Sequence, residues 1–314
     1  MRAWCTPSSR LHVVPAGFPD IPERLDWAVE AARQAGADLR TPSVEQLEAE
    51  ECAALVDRVH IDRRLERLAK AAEPLRARLD TPDCPVSTGT PTAALVALQT
   101  TLVAWRHAAE TGGAGLALVR PPGHHATPRL AMGFCYLNNV AIAARLAQDL
   151  GRRRVAILDF DVHHGNGTQD VFYADPEVFV CSLHEDPRMQ YPGTGYADET
   201  GAGSGLGTTL NLPLRSGTGG AEFLAALTEQ ALPALEGHRP EALLISAGFD
   251  THLEDPLGRL RLVAGDFARM GRELAGLTKR LGIPSLMVLE GGYASACFHE
   301  GLKPLLEEWQ AVVS

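Results

Sequence analysis

The chain contains no Cys-x-x-Cys pair, no run of basic residues that forms a stripe and no stretch apolar enough to cross a bilayer. Each absence removes a class of function. The six cysteines (Cys5, Cys52, Cys84, Cys135, Cys181, Cys297) are scattered without regular spacing, which fits buried free thiols in a reducing compartment. With 29 Lys+Arg against 39 Asp+Glu, net charge −10, nucleic acid is not expected as a ligand. No continuous apolar segment marks Met1 to Phe18 as a secretion signal, so a cytoplasmic protein that stays off membranes is expected. Internal repeats, low-complexity tracts and linkers are also missing, which predicts one domain over residues 1–314. The glycine-rich stretch from Gly201 to Gly207 matches no GxGxxG pattern, and no βαβ unit frames it, so nucleotide binding is excluded.

What is present is a repeated alternation of short apolar runs and longer amphipathic ones. Leu116–Val119, Arg154–Leu158, Val178–Leu183, Ala242–Ser246 and Ser285–Leu289 read as five buried strands. Helices are predicted over 22–34, 44–59, 61–79, 92–110, up to 150, 221–235, 266–281 and 296–313. The pattern implies a mostly parallel sheet covered on both faces, with ligands at the carboxyl ends of its strands.

The polar residues fall at those ends. Asp159-Phe160-Asp161-Val162-His163 follows the second strand, and on an extended chain Asp159, Asp161 and His163 share one face. Two buried carboxylates and an imidazole cost too much desolvation to serve packing alone, so a zinc-like divalent metal is expected among them. The first strand runs into Arg120-Pro121-Pro122-Gly123-His124-His125, tandem histidines on a proline-stiffened loop. Asp250 closes the fourth strand, and Glu290-Gly291-Gly292-Tyr293 follows the fifth. Asp83 lies in a proline-punctuated turn, and Arg24, from composition, reads as a solvated helix charge.

Three segments, Arg120-Pro-Pro-Gly-His-His-Ala126, Gly133-Phe-Cys-Tyr-Leu-Asn-Asn139 and Asp159-Phe-Asp-Val-His-His-Gly-Asn-Gly-Thr168, resemble the histone deacetylase family. That family includes acetylpolyamine amidohydrolases and bacterial deacetylase-like amidohydrolases, and the resemblance runs from Ile21 to Tyr293. It implies the arginase/deacetylase fold, a single-domain three-layer α/β/α sandwich, and a hydrolase that removes an acyl group from an amine. Asp161, His163 and Asp250 would hold one zinc ion. His124 and His125 would move protons, with His125 the main base and Asp159 orienting His124, and Tyr293 would donate to the oxyanion. Gly133, Phe134, Tyr191, Leu257, Gly291 and Gly292 would line the acyl site, with Asp83 as a rim carboxylate. A structural potassium ion would use Asp159, Asp161, His163, Ser182 and Leu183, and Arg24 would belong to an internal acetate channel. A homo-oligomer is compatible with the family.

This chain also departs from the family pattern. Asn166 replaces an acid beside the second histidine, Tyr191 a frequent phenylalanine, and Phe18 a common histidine. Leu257 stands where a polyamine-selective arrangement carries glutamate, so acyl-lysine is favoured over acetylpolyamine as substrate. Two rivals remain. A non-catalytic acyl-binding protein of the same fold would be expected to lose one of these residues, and none is lost. A binuclear manganese ureohydrolase would need more acids than Ala247-Gly248-Phe249-Asp250 supplies.

Overall fold

The computed structural model describes residues 1–42, 49–72 and 78–313. Eight strands form one sheet in which every pairing is parallel: β1 (Arg2–Cys5), β2 (Asp38–Arg40), β3 (Ala114–Leu118), β4 (Val155–Asp159), β5 (Val178–Glu185), β6 (Thr209–Leu214), β7 (Ala242–Ala247) and β8 (Ser285–Leu289). Their spatial order is β2-β1-β3-β8-β7-β4-β5-β6. The five expected strands are all present. The three additional ones lie toward the edges and lack a buried-strand signature. Strand β2 is three residues with two charges, and β6 carries Pro213, both features of edge strands rather than core ones.

Successive residues along the central strands feed opposite faces. Leu116, Leu118, Ala156, Leu158, Leu243 and Ile245 pack under α1 (Glu23–Gln34), the broken helix α7 (Gly220–Ala226) and α8 (Leu232–Gly237), α9 (Ala264–Leu281) and α10 (Lys303–Val313). Ala117, Val155, Ile157, Ala242 and Leu244 face α2 (Ala49–Val59), α3 (Arg64–Ala71), α4 (Thr90–Thr111) and α5 (Asn139–Asp149). The result is the expected sandwich. Helix ends follow ordinary chemistry: the Asn138 side chain accepts from Ala141 N at 3.0 Å, and Gly112 and Gly282 adopt φ +67° and +64° beyond α4 and α9.

Several expectations need correction. The helix predicted over 61–79 shrinks to Arg64–Ala71, with Arg78 instead bridging Pro85. The beginning of the 44–59 helix lies outside the described residues. Beyond β4, Gly165 caps a short helix, α6 (Asn166–Phe172), that Asn166 and Gly167 open. Both glycines serve close approach: a Cβ at Gly165 would lie 2.2 Å from Asp159 Oδ2, and one at Gly167 would lie 2.5 Å from Ala126 O. All six cysteines are free. Among the described residues no helix is long and apolar enough to cross a membrane.

Arg24 is the clearest reversal. It is fully buried, not solvated, because α1 packs its inner face against the end of β8. Its guanidinium pairs with Asp20 and donates to the carbonyls of Gly292 at 2.5 Å and Glu290 at 2.6 Å. Arg120 approaches the same carboxylate at 3.2 Å. Burial pushes the Asp20 carboxyl up, but Arg120 and Arg24 outweigh that and hold it below the usual range. Removing this one acid strands two buried cations. Asp20→Ala should therefore lose about 3–5 kcal/mol of stability in urea unfolding, and a loss within 0.5 kcal/mol, the usual range for surface substitutions, would show the cluster to be unimportant.

Candidate active site

Four adjacent strands, β3, β8, β7 and β4, run into the segments that carry the expected residues His124, His125, Asp161, His163, Asp250 and Tyr293 beyond their carboxyl ends. Strands β8 and β7 are inserted between β3 and β4, so the chain changes winding direction here and leaves a crevice above the strand ends. At its floor, ligand atoms of Asp161, His163 and Asp250 lie within 4.8 Å of one another, all buried. His163 Nδ1 is 3.0 Å from Asp161 Oδ1 and 3.2 Å from Asp250 Oδ2. Backbone donors hold the outer oxygens: Val162 N reaches Asp250 Oδ1 at 2.8 Å and Gly291 N reaches Asp161 Oδ2 at 2.8 Å. Asp250 Oδ2 is buried without a hydrogen-bond partner.

Crowded carboxylates cannot both ionise comfortably. Burial and the charge of Asp161 push the Asp250 carboxyl up, more than His163 offsets. Asp161 is held low despite its burial, by His124 and then His163. Three lone-pair atoms aimed at one point, one of them unsatisfied, match an oxygen–nitrogen site for a divalent cation. The residues fit the group.

The tandem histidines sit just above. His124 Nδ1 is 2.9 Å from Asp159 Oδ2, and His125 Nδ1 is 2.7 Å from Asn166 Oδ1. A side-chain amide oxygen only accepts, so His125 carries its proton on Nδ1 and keeps the Nε2 lone pair free. The two rings titrate in opposite directions. Burial disfavours charge on His124, but Asp161 and Asp159 outweigh it and raise its pKa well above the usual value. Burial, His124 and His163 all push His125 down. Neighbouring groups driven apart in this way are what acid–base pairs require.

A cavity of about 220 Å³ opens over this floor, lined by Asp83, His125, Gly133, Phe134, His163, Gln190, Tyr191, Leu257 and Tyr293. Of the expected lining, Gly291 and Gly292 instead lie beneath it. A Cβ on Gly291 would fall 2.0 Å from Asp250 Oδ2, and Gly292 turns the chain at φ +117°. Phe134 meets Tyr293 edge-on at 5.8 Å, and Phe18 packs on Phe134 from behind at 4.8 Å. Arg24 stacks over the Tyr293 ring at 4.4 Å. Tyr191 is half-exposed at the mouth, its ring 5.1 Å from His125. Its hydroxyl faces Asp83, which also accepts from Gly133 N at 3.0 Å. The register places Asp159 beside Ser182, whose hydroxyl pairs with His184 at 2.8 Å; Leu183 follows it in β5.

Sequence reasoning missed two residues. Gln190 ties the rim together, donating to Leu257 O at 2.8 Å and accepting from Tyr191 N at 3.1 Å. A lone glutamine in a loop carries no signal of that. Glu290 accepts from Gly123 N at 2.7 Å and His124 N at 3.1 Å, fixing the histidine loop from below. Burial pushes its carboxyl up to about 7. Its place at the end of β8, matching Asp159 and Asp250 in their strands, was a signal that could have been used.

Fold and site together define an α/β protein whose strand ends converge on an acid–histidine centre beneath a narrow cavity. The chain belongs to the histone deacetylase domain family, whose pattern matches residues 18–308. It is 47% identical over 213 residues to acetylpolyamine amidohydrolase 1 of Pseudomonas aeruginosa, covering 68% of this chain and 60% of that protein. It is 46% identical over 181 residues to the chloroplastic histone deacetylase 14 of Arabidopsis thaliana, covering 57% of this chain and 42% of that one. The matches thus span under two thirds of these curated relatives' length. Among solved structures, acetylpolyamine aminohydrolase from Burkholderia pseudomallei superposes with a TM-score of 0.88 at 33% identity, over 99% of both chains.

Gly133 offers a direct check on this geometry. Its φ of +58° disfavours any side chain, and an added Cβ would lie 2.3 Å from the His125 ring. Gly133→Ala should displace His125, lowering kcat/KM on the order of 10²-fold while elemental analysis finds metal retained. Unimpaired turnover would mean that the His125 position is not critical.

Proposed function

We propose that the protein is a metal-dependent hydrolase that removes an acyl group from a primary amine carried on a slender stem. The observation that carries this is the unsatisfied, buried Asp250 Oδ2, converging with Asp161 and His163 under a cavity that also exposes His125 and Tyr293. Zinc is the ion we assign to Asp161, His163 and Asp250; when bound it supplies carbonyl polarisation and a more acidic water. Potassium at Asp159, Asp161, His163, Ser182 and Leu183 is kept as a proposed structural ion.

The remaining steps belong to side chains. His125, neutral and with Nε2 free, accepts the proton of the attacking water. His124, bonded through Nδ1 to Asp159, delivers a proton to the departing amine nitrogen. Asp159 fixes the His124 tautomer through the Nδ1 bond. Tyr293 donates its hydroxyl to the oxyanion; burial keeps that phenol protonated. Phe134 and Tyr191 exclude bulky groups beside the stem. Arg24, behind Tyr293, has all three guanidinium nitrogens engaged, so it fixes that tyrosine first and faces the acid product second.

For the substrate we propose acyl-lysine, because the rim position that carries glutamate in a polyamine-selective arrangement is Leu257 here. A second reading, acetylpolyamine, is favoured by the names of the Pseudomonas and Burkholderia relatives. Asp83 serves either, through peptide N–H groups or an ammonium. Comparing kcat/KM for an acetyl-lysine peptide and N-acetylputrescine decides between them: higher efficiency on the polyamine overturns the first.

The reaction class has its own test. Asp250→Ala should lose metal and activity together, whereas Tyr293→Phe should keep metal and fold yet lose on the order of 10²–10³ in kcat. Full metal content in Asp250→Ala would refute the ligand assignment, and unchanged kcat in Tyr293→Phe would remove the tyrosine from the chemistry.

A further inference from the structure

Asp255 belongs neither to the acid–histidine centre nor to the cavity wall, and it is 6% exposed. Four donors converge on its carboxylate. Oδ1 accepts from Leu257 N at 2.8 Å and Gly258 N at 3.3 Å; Oδ2 accepts from Tyr293 N at 2.7 Å and the Cys297 thiol at 3.3 Å. An ionised carboxylate is the side-chain group that accepts at both oxygens and donates at neither. Asparagine has the same shape but would turn an NH₂ toward one of the two donor pairs. The first pair alone is an ordinary turn, an Asp capping N–H groups two and three residues ahead. Tyr293 is 38 residues away and has no part in that turn.

The tyrosine is restrained on its other sides by ring contacts. Arg24 covers one face and Phe134 meets it edge-on, while Gly292, at φ +117°, gives the preceding backbone no side-chain restraint. The main-chain N–H of residue 293 is held by Asp255. Leu257, at the cavity rim, is fixed at both ends of its backbone: its N–H by Asp255 and its carbonyl by Gln190. One carboxylate therefore bridges the mouth of the cavity and the backbone of the residue at its floor.

We propose that Asp255 is a positioning residue for the reaction: it sets the Tyr293 hydroxyl by holding that residue's backbone. The inference rests on Tyr293 as the oxyanion donor. Since that interaction acts only in the transition state, the effect of Asp255 falls on kcat and not on KM.

The test uses the full metal-loaded protein with an acetyl-lysine peptide. Asp255→Asn should lower kcat on the order of 10–10²-fold, with KM and metal content unchanged. In a Tyr293→Phe background the same substitution should cost nothing further, a non-additivity that a general loss of stability would not produce. Without substrate, the Tyr293 amide should exchange hydrogen faster in Asp255→Asn than in the wild type. If Asp255→Asn does not fold, Asp255→Glu keeps an all-acceptor group and should fold with kcat lowered and metal retained. Equal losses in both tyrosine backgrounds, unchanged kcat in the folded variant, or an unchanged Tyr293 exchange rate would each overturn the proposal. Should the wild type hydrolyse no acyl amine, the functional reading fails, and the exchange measurement still decides whether Asp255 holds Tyr293.

Discussion

The molecule depends on one costly placement: two carboxylates just beyond neighbouring β4 and β7, Asp161 and Asp250, brought together out of contact with bulk solvent. Much nearby structure exists to make that tolerable. Glycine at 291 leaves room where any Cβ would strike Asp250 Oδ2, and glycine at 248 does the same for Asp161 Oδ2. Backbone N–H groups from Val162 and Gly291 satisfy the outer oxygens, Asp250 Oδ1 and Asp161 Oδ2. The inner oxygens face His163, whose own backbone N–H donates to Asp161 Oδ1 at 2.9 Å.

Electrostatics then propagates outward from that centre. The negative floor raises His124 directly, and the cationic tendency of His124 and His163 lowers His125. Two adjacent residues in one loop thus acquire opposite proton affinities without any difference in their own chemistry. The partners sharpen the split. An aspartate behind His124 stabilises its charge, whereas a neutral amide, Asn166, behind His125 fixes the tautomer and adds little charge stabilisation.

How much of this was legible beforehand follows from which signals are local. Asp161, His163, Asp250 and Tyr293 each end a strongly apolar run, so strand periodicity alone placed them at one end of one sheet. The edge strands were invisible because β2 is short and charged and β6 contains Pro213, so their pairing is decided by neighbours and not by composition. Arg24 was misread for a related reason. An arginine on a helix looks solvated even with Asp20 four residues before it; the carbonyls of Glu290 and Gly292 that complete its buried site come from the far end of the chain. Gln190 and Asp255 each reach one backbone group far along the chain, Leu257 O and Tyr293 N, which no motif or spacing encodes.

The strand order also bears on how the chain reaches this state. β3 and β4 are made early, but in the finished sheet β8 and β7 stand between them. During synthesis β3 therefore waits without its inner neighbour until residues 285–289 emerge, and β4 without one of its partners until 242–247 do. The apolar edges of β3 and β4 are unpaired over that interval, open to mispairing or to chaperones. The centre itself, needing residues from 124 to 293, comes together only as the last quarter of the sheet closes, so a ribosome-bound fragment ending before β8 would carry Asp161, His163 and Asp250 but lack Tyr293 and the Gly291 N–H that holds Asp161.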